Sequence, residues 1–257
     1  MSRQSHILSI LQLFDTGMSV WTVEEIAKAL GVSVRTAYRT VRELTQGGFL
    51  DPVSGAGYVL GPAFIRFDRV LRQSDPLIHI ATPAMERLLD ETSQEAAVIL
   101  CRRFKDCVMS VHMVEGREPH LPASYERGAA MPLFLGAPAK VILAFLPDRV
   151  LRGLYLRNDA ELRRSGIDSW LSFKEQLKPV RKAGYAMTQA EIGEGRLGIA
   201  APITRDGLVV ASLSLVLSVR SNRPDADRIA HFAEGVRRAA SAVSAALDVS
   251  EPGAAPR

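Results

Sequence analysis

The chain is poor in the features that mark secreted, membrane and metal-binding proteins. It has only two cysteines, no apolar run long enough to cross a bilayer, and no secretory leader in its first ten residues, MSRQSHILSI. Its five histidines are scattered, without the close histidine and cysteine pairs that a metal site usually shows. We therefore expect a cytoplasmic protein that does not bind membranes and holds no structural metal.

Motifs of the common enzyme classes are also missing. The sequence contains no GxSxG, no phosphate-binding P-loop and no HExxH. The segment GEGRLG at residues 193–198 has the spacing of a dinucleotide-binding turn, but it precedes the strand-like IAAPI, and Glu194 would repel a pyrophosphate. Glu191 and Lys140 are a conceivable acid/base pair, although an ion pair at a pocket edge explains them more simply. We predict no catalytic residue and no cofactor.

The two cysteines, Cys101 and Cys107, flank the segment RRFKD, which is typical of a hairpin. A two-residue turn at positions 105 and 106 would place Phe104 opposite Cys107. Cys101 would then lie on the other side of the ribbon. We therefore expect no disulfide, and two buried apolar cysteines in a reduced compartment.

The most informative pattern lies near the N-terminus, where residues 22–44 read TVEEIAKALGVSVRTAYRTVREL. Thr22 can cap a first helix, and Glu25 is placed to complete a capping box. Gly31 supplies the chain reversal, and Ser33 is suited to cap a second helix. Two short helices joined by a tight, glycine-containing turn predict a helix-turn-helix.

The second of these helices carries three arginines. At about 100° per residue, Arg35, Arg39 and Arg42 fall on one side of it. The residues expected to point inward are Val34, Val41 and Leu44. A solvated polar face would explain three arginines on an arbitrary helix, but the helix-turn-helix pattern favours insertion into a DNA groove. The candidate DNA-binding residues are Thr22, Ser33, Arg35, Thr36, Tyr38, Arg39 and Arg42.

The flanking segments complete a small DNA-binding domain. Residues 47–61, GGFLDPVSGAGYVLG, predict two short strands around a glycine-bearing turn, which together form a wing. Upstream, Ile7, Ile10, Leu11 and Phe14 have the spacing of a supporting helix. The net charge of +4 and the pI near 9.3 favour contact with a polyanion, but the placement of the arginines carries the DNA argument. Residues 1–61 thus predict a winged helix-turn-helix domain.

The remainder of the chain predicts an α+β domain. A linker helix at residues 62–75 ends before Pro76, and a second helix is expected from Pro83 to Thr92. A strand-rich run follows, EAAVILCRR, CVMSVHMVE and HLPASYE. Helices are expected at residues 137–145, 148–156 and 172–183, then the strands LGIAAPITR and LVVASLSLVLS, and a last helix near residues 224–247. Residues 76–248 therefore predict helices on an antiparallel sheet, with a flexible tail at 249–257.

Five blocks of the sequence, taken in order, resemble one known family. They are TVEEIAKALGVSVRTAYRTVRELTQGGFL, GYVLGP, PLFLGAPAKVILAFLP, RKAGYAMTQAEIGEGRLGIAAPI and VVASLSL. Over nearly the whole chain they are similar to transcription factors of the isocitrate-lyase-regulator (IclR) type. The resemblance implies a DNA-binding regulator, not an enzyme, whose C-terminal domain is similar to the GAF fold and binds a small organic acid. It also implies a dimer or a dimer of dimers.

The same resemblance implies an effector site. Backbone amides at a helix start, together with hydroxyls, are suited to a carboxylate. The implied effector-binding residues are Gly136, Ala137, Pro138, Thr188, Glu191, Gly198, Ser212 and Ser214. The positions that depart from the usual family pattern are Phe134, Ala139, Thr188, Gly198 and Val216. These departures predict a less polar pocket, and hence a larger or more apolar effector such as an aromatic acid.

Two functions from different classes agree with the sequence. The favoured one is a regulator that binds an operator in double-stranded DNA, responds to a small organic acid and controls a catabolic operon. The alternative is a small-molecule-binding enzyme or sensor whose basic helical appendage binds a protein partner. Sequence-selective DNA binding that weakens steeply with salt distinguishes the first from the second.

Overall fold

The structure is a computed structural model that describes residues 3–92, 96–116, 125–219 and 224–250. The chain divides into two compact units, Met1–Asp75 and Pro76–Arg257. Each unit has a hydrophobic core of its own. Across the described ranges, no helix combines the length and the apolar character that a membrane span requires.

The N-terminal unit is a helix-turn-helix followed by a two-stranded ribbon and a further helix. Its elements are α1 (Arg3–Leu13), α2 (Val23–Leu30), α3 (Val34–Gln46), β1 (Leu50–Val53), β2 (Gly57–Leu60) and α4 (Ala63–Ser74), with a short 3-10 turn at Phe14–Thr16. Ile10, Ile26, Val41 and Leu44 are buried in its core, as their helical spacing predicts. The three helices α1 to α3 therefore share one apolar interior.

Both predicted caps of the helix-turn-helix are confirmed. The Thr22 hydroxyl accepts a hydrogen bond from the Glu25 amide at 3.2 Å, and the Thr22 amide donates to Glu25 Oε2 at 2.8 Å. Gly31 ends α2 at φ 65°, a left-handed conformation that favours glycine. The Ser33 hydroxyl accepts from the Thr36 amide at 3.2 Å and so caps α3. The turn between the two helices is thus fixed at both ends.

The inward direction predicted for Val34 is wrong, because its side chain is 49 % exposed. Val34 is the first residue of α3, one turn before the stripe that packs on the core. The buried residues of α3 are Ala37, Thr40, Val41 and Leu44. Their spacing is i, i+3, i+4 and i+7, which is the ordinary stripe of an amphipathic helix.

The ribbon formed by β1 and β2 is tied to the chain just before α2. The two strands pair antiparallel, with Val53 opposite Gly57. Trp21 and Tyr58 form a further bridge, with amide-to-carbonyl distances of 3.0 and 2.9 Å. Gly57 has φ 126°, and a Cβ atom there would lie 2.6 Å from the Trp21 carbonyl oxygen. Glycine at position 57 therefore permits the contact that anchors this wing.

The helix α4 is attached to the rest of the N-terminal unit by aromatic packing. The Phe49 ring lies 5.8 Å from the Phe64 ring and 5.9 Å from the Phe67 ring, between centroids. Elsewhere on α4, Ile65 is 76 % exposed and Leu71 is also exposed. One side of α4 therefore packs on the N-terminal unit, and apolar side chains elsewhere on the helix are exposed to solvent.

The C-terminal unit is a six-stranded antiparallel sheet with helices on both faces, which confirms the predicted α+β class. Its elements are α5 (Pro76–Asp90), β3 (Ala96–Phe104), β4 (Cys107–Glu115), β5 (Ala130–Pro132), α6 (Ala137–Phe145), α7 (Asp148–Arg157), α8 (Asp159–Arg164), α9 (Trp170–Ala183), β6 (Ala186–Gln189), β7 (Arg196–Arg205), β8 (Leu208–Ser218) and α10 (Ala226–Val249). The strand order is β5-β4-β3-β8-β7-β6.

The two faces of the sheet carry separate cores, because successive side chains of a strand point to opposite faces. On β8, Leu213 and Leu215 pack in the core that includes α5 and α10. Val216 packs in the core formed with α6 to α9. Ser212 and Ser214 alternate with those leucines and so lie on the same face as Val216. This second face is where the predicted effector residues gather.

The predicted start of the second helix is wrong. It begins at Pro76, and Pro83 lies inside α5. Proline cannot donate to the carbonyl four residues earlier, which is why Pro83 suggested a helix start. In the turn before it, the Thr82 hydroxyl donates to the Ile78 carbonyl at 2.7 Å. The helix thus continues through a residue type that usually ends or begins one.

The predicted strand HLPASYE is wrong in its described part. Residues 120–124 lie outside the described residues, Tyr125 begins a short turn, and the strand at this edge is β5. The strand β6 and the short helix α8 had no counterpart in the sequence prediction. Of the expected flexible tail, residues 251–257 lie outside the described residues, and α10 extends to Val249.

The cysteine-flanked hairpin has the predicted register, with Phe104 opposite Cys107. Both cysteines are free thiols. Cys101 is fully buried, and burial raises the pKa of its thiol well above the usual range. Cys107 is only half-buried, and its Sγ lies 3.0 Å from the Phe104 carbonyl, so the expectation of two buried cysteines is wrong for Cys107.

Candidate DNA-binding and effector sites

The exposed face of α3 carries the predicted basic residues. Arg35, Tyr38, Arg39 and Arg42 are all exposed, and their spacing of i, i+3, i+4 and i+7 places them on one side of the helix. The opposite side is packed in the core, and the N-terminus is capped. The structure therefore brings four of the seven predicted residues together on one rigid, solvent-facing surface, which we call the α3 face.

The arginines of the α3 face keep their hydrogen-bonding capacity. Among the described residues, no acidic side chain forms an ion pair with Arg35, Arg39 or Arg42. Each guanidinium can therefore form paired hydrogen bonds to a phosphate or to a guanine edge. These cations are suited to a polyanionic partner.

The three hydroxyl residues predicted for DNA binding stabilise the helix-turn-helix itself. Ser33 and Thr36 share a hydrogen bond of 2.9 Å between their hydroxyls, in addition to the cap of α3. A hydrogen bond from the Thr22 amide and, to a smaller extent, one from the Thr22 hydroxyl hold the pKa of Glu25 below its usual value. In this structure Thr22, Ser33 and Thr36 orient the α3 face through such bonds.

The wing contributes no positive charge. Residues 50–60 read LDPVSGAGYVL, which contains one acid, Asp51, and no lysine or arginine. The contribution of the N-terminal unit to binding a polyanion therefore comes from its helices.

Six of the eight predicted effector residues surround one cavity of about 20 Å³. They are Gly136, Ala137, Pro138, Thr188, Glu191 and Gly198. The other two, Ser212 and Ser214, are fully buried on the same face of the sheet, although they do not line this cavity. We call this cavity the effector cavity.

The amides at the start of α6 already hold groups of the protein. The Gly136 amide donates to Glu191 Oε2 at 2.9 Å, and the Ala137 amide donates to the Thr188 hydroxyl at 3.1 Å. Lys140 forms an ion pair with the other oxygen of Glu191, which confirms the simpler interpretation of these two residues. Of the amides expected to bind an effector carboxylate, that of Gly136 thus binds an internal carboxylate, and that of Ala137 binds an internal hydroxyl.

The loop between β6 and β7 closes over the start of α6. Gly136 has φ 83°, and a Cβ atom there would lie 2.9 Å from Ile192 Cγ1. Ala190 has φ 59°, a left-handed conformation that costs an alanine about 1–2 kcal/mol. The remaining space of about 20 Å³ is enough for a single water molecule, which needs roughly 10–15 Å³, but not for an organic acid. An organic acid can enter only if this loop or its neighbours move.

The sequence analysis missed five residues that line the effector cavity, Tyr125, Ala190, Ile192, Gly193 and Arg196, and of these Arg196 and Tyr125 have polar side chains. Arg196 is 7 % exposed and Tyr125 is 5 % exposed, and both line the cavity. Burial raises the pKa of the Tyr125 phenol, and the nearby Arg196 charge acts in the opposite direction, so the two side chains lie close together. The arginine adds a buried charge to the cavity, and the expectation of a pocket less polar than is usual in the family stays a prediction. The alternation of β7, which puts positions 196 and 198 on one face, could have revealed this arginine.

Three serine hydroxyls on this face of the sheet are buried. The hydroxyls of Ser110, Ser212 and Ser214 have no hydrogen-bond partner among the described residues. Strand register places Ser110 opposite Cys101, and Cys101 opposite Ser212. A buried hydroxyl without a partner costs about 1–3 kcal/mol. Polar groups held at this cost are typical of a binding site.

A larger cleft of about 640 Å³ lies between the end of α9, β7 and α10. Its arginines are largely neutralised, because Arg237 pairs with Glu234 and Arg238 pairs with Glu91. The cleft is open, and its charged residues are exposed except Arg181, which is half-buried and pairs with Asp148. We assign no ligand to it. Nor do the described residues contain a cluster of three metal-ligating side chains.

Comparison with known proteins gives matches along the whole chain. The model of the bacterial transcriptional regulator IclR C-terminal family matches residues 70–245, and a homeodomain-like domain matches residues 3–53. The chain is 26 % identical over 238 residues to the HTH-type transcriptional regulator KipR of Bacillus subtilis, covering 92 % of this chain and 93 % of the relative. It is 30 % identical over 240 residues to the glycerol operon regulatory protein of Streptomyces griseus, covering 92 % of each.

A solved structure gives the same fold. An IclR homologue from Microbacterium hydrocarbonoxydans, crystallised with 4-hydroxybenzoate, has a TM-score of 0.72 against this chain at 21 % identity. The match covers 97 % of this chain and 100 % of that one. A helix-turn-helix followed in the chain by an α+β unit is therefore a known fold.

Proposed function

Because the chain belongs to the IclR family of bacterial transcriptional regulators, we propose that it binds an operator in double-stranded DNA through the α3 face. Its relatives are named as regulators and not as enzymes, and the protein is a transcriptional regulator with a DNA-binding helix-turn-helix. We propose that it acts in the cytoplasm, because a regulator must reach the chromosome.

The observation that carries this proposal is the set of exposed arginines on a capped helix. Arg35 and Arg39 lie in the first two turns of α3, the part of a recognition helix that reaches base edges in the major groove. Arg42 is one turn further on and is suited to a phosphate. Ser33, Thr36 and Tyr38 lie on or next to α3 with these arginines, and Thr22, which caps α2, completes the proposed set of DNA-binding residues.

Fluorescence anisotropy with the DNA upstream of the protein's own gene tests the proposal. If Arg35 and Arg39 contact bases, we expect Arg35→Ala and Arg39→Ala each to cost about 1–3 kcal/mol of binding free energy, which weakens binding about 5- to 150-fold. A residue that contacts only phosphate instead lowers the slope of log affinity against log salt by about one per contact. Arg149→Ala is the matched control, because it removes an exposed arginine of the C-terminal unit that forms no ion pair with a described residue. Equal binding by all three variants contradicts the proposal.

The second part of the proposed function is control by a small organic acid that occupies the effector cavity. It is supported by the polar groups on that face of the sheet and by the structural relative crystallised with 4-hydroxybenzoate. We propose an aromatic acid or its breakdown product as the effector, and a catabolic operon as the target. The acid acts by favouring one of two conformations of the regulator, since a ligand shifts an equilibrium only by its preference for one state.

Thermal-shift measurements on the full chain test the effector class. A panel of aromatic acids and of two- and three-carbon oxo acids is compared, and the favoured class raises the melting temperature with concentration. Stabilisation by the short oxo acids alone contradicts the aromatic class. An effector must also change the affinity for the operator, so the anisotropy titration is repeated with any acid that stabilises the protein.

We also propose that the protein acts as a dimer or a dimer of dimers. The uncovered apolar residues of α4, Ile65, Val70 and Leu71, are the kind of surface that becomes buried on association. Sedimentation equilibrium of the unchanged protein and of Ile65→Glu tests this role. A dimer that persists unchanged in Ile65→Glu shows that α4 does not carry the association.

A further inference from the structure

The exposed side of α3 carries two apolar side chains beside its arginines. Val34 and Tyr38 are both exposed. They lie four residues apart on one helix, so their side chains are neighbours. Neither belongs to the hydrophobic core that the described residues of the N-terminal unit form. We call these two residues the valine–tyrosine patch.

The stability of α3 does not account for a valine at position 34. A β-branched residue is a poorer helix former than alanine, and the Val34 side chain meets solvent instead of the core. The cap of α3 joins the Ser33 hydroxyl to the Thr36 amide and does not involve the Val34 side chain. What the side chain contributes therefore depends on what the surface of α3 contacts.

The arginines next to the patch indicate the chemistry of the partner. Arg35 follows Val34 in the chain and Arg39 follows Tyr38, and both arginines are exposed. An apolar patch bordered by cations matches the major groove of DNA, where phosphates flank the bases. The one apolar group that a base presents in this groove is the 5-methyl group of thymine.

Val34 has the position and the shape for such a contact. It is the first residue of α3, at the end of a recognition helix that lies closest to the base edges. A valine in a helix strongly prefers one side-chain rotamer, so its two methyl groups have a fixed direction. Packing them against a methyl group therefore costs little conformational entropy.

We propose that Val34, with the ring of Tyr38 beside it, packs on the 5-methyl group of a thymine in the operator. The inference rests on the proposed insertion of α3 into the major groove, and it adds a base preference to that function. The contact involves no hydrogen bond and no charge. Uracil pairs with adenine as thymine does but lacks the methyl group, so replacing thymine by uracil isolates this contact.

Fluorescence anisotropy with two forms of one operator fragment tests the contact. The fragment is the DNA upstream of the protein's own gene, prepared once with thymidine and once with deoxyuridine in its place. We expect the unchanged protein to bind the uracil form about fourfold more weakly for each methyl group contacted, the factor that corresponds to burial of one such group. Val34→Ala should lose this preference. It should keep the slope of log affinity against log salt, because it removes no charge.

Two comparison variants make the result specific. Val150→Ala is the matched control, because Val150 is an exposed valine on a helix of the C-terminal unit. It should keep both the affinity and the full preference for thymine. Arg35→Ala should weaken binding to both forms by the same factor and so leave the ratio between them unchanged.

Substitution of single positions separates a contact from an effect on the DNA itself. Uracil at individual thymine positions should trace the preference to a few positions of the fragment. A loss spread evenly over the fragment would come from altered DNA shape or stiffness, and it overturns the proposed contact.

The remaining outcomes separate this inference from the function on which it rests. Equal affinity of the unchanged protein for the two forms, or a full preference for thymine in Val34→Ala, overturns the inference and leaves DNA binding by the α3 face standing. If the unchanged protein binds neither form, the proposed function and the inference fail together. Because Val34 is exposed, we expect Val34→Ala to keep the melting temperature of the unchanged protein. Should it fail to fold, the two DNA forms compared on the unchanged protein and on Arg35→Ala still decide.

Discussion

The internal carboxylate at the start of α6 predicts a specific effect of Glu191→Gln. Glutamine retains an acceptor for the Gly136 amide but loses the charge that meets both the helix N-terminus and Lys140. A negative charge at a helix N-terminus contributes about 0.3–1 kcal/mol, and an ion pair this accessible to solvent contributes about 0.2–1 kcal/mol. We therefore expect the C-terminal unit to lose about 0.5–2 kcal/mol of unfolding free energy.

Differential scanning calorimetry checks this loss. For a domain of 150–250 residues, 1 kcal/mol corresponds to about 2–4 °C, so the melting temperature should fall by roughly 1–8 °C. Glu194→Gln is the matched control, because Glu194 lies in the same loop, is exposed and forms no ion pair with a described residue. Its melting temperature should stay within about 1 °C of the unchanged protein. Equal shifts in the two variants refute the reasoning, since bulk charge would then explain both.

The same free energy should reappear in ligand binding. If the cavity opens by releasing Glu191, the closed form competes with the effector, and weakening the closed form raises the fraction that can bind. Glu191→Gln should then bind its acid up to about 30-fold more tightly, as 2 kcal/mol allows. An unchanged or weaker affinity shows that opening does not require the release of this carboxylate.

Three further substitutions test separate parts of the structure. Gly57→Ala should lower the unfolding free energy of the N-terminal unit by more than about 2 kcal/mol. Gly55→Ala, at φ 71° with no atom near the added Cβ, should lower it by only about 1 kcal/mol. Equal losses in calorimetry would contradict the close contact of Gly57 with Trp21. Ser33→Ala should cost about 1 kcal/mol and weaken operator binding in proportion, and an unchanged melting curve argues against the cap. Gly198→Ala should leave the fold unaffected, since the added Cβ would lie 3.5 Å from its nearest neighbour, an ordinary contact. The added methyl group should weaken acid binding about tenfold, and undiminished binding would exclude position 198 from the pocket.

The helix-turn-helix could be predicted from the sequence because its determinants are local. The Thr22 capping box, the Gly31 reversal and the Ser33 cap each involve residues a few positions apart, and the apolar stripe repeats within one helix. The bridge between Trp21 and Tyr58 was not predictable in this way. It joins residues distant in the chain, and neither neighbouring segment shows a pattern for it.

The effector cavity was predicted only where the resemblance supplied positions. Arg196 lies in the cavity because of the register of β7, and Tyr125 lies there because of the turn that contains it. The composition of the chain reveals neither position. The start of α5 was missed because Pro83 looks like a first helical residue, a position that Pro76 also suits. Non-local pairing and ambiguous prolines account for these errors.

The aromatic contacts of Phe49 have a mechanical consequence. This residue follows directly on the turn that ends α3, and its ring is held by two rings of α4. Close-packed interiors transmit displacement because they have little free space to absorb it. We therefore expect a tilt of α4 to displace the C-terminal end of α3 through the contacts of Phe49 with Phe64 and Phe67, and so to change the position of the α3 face.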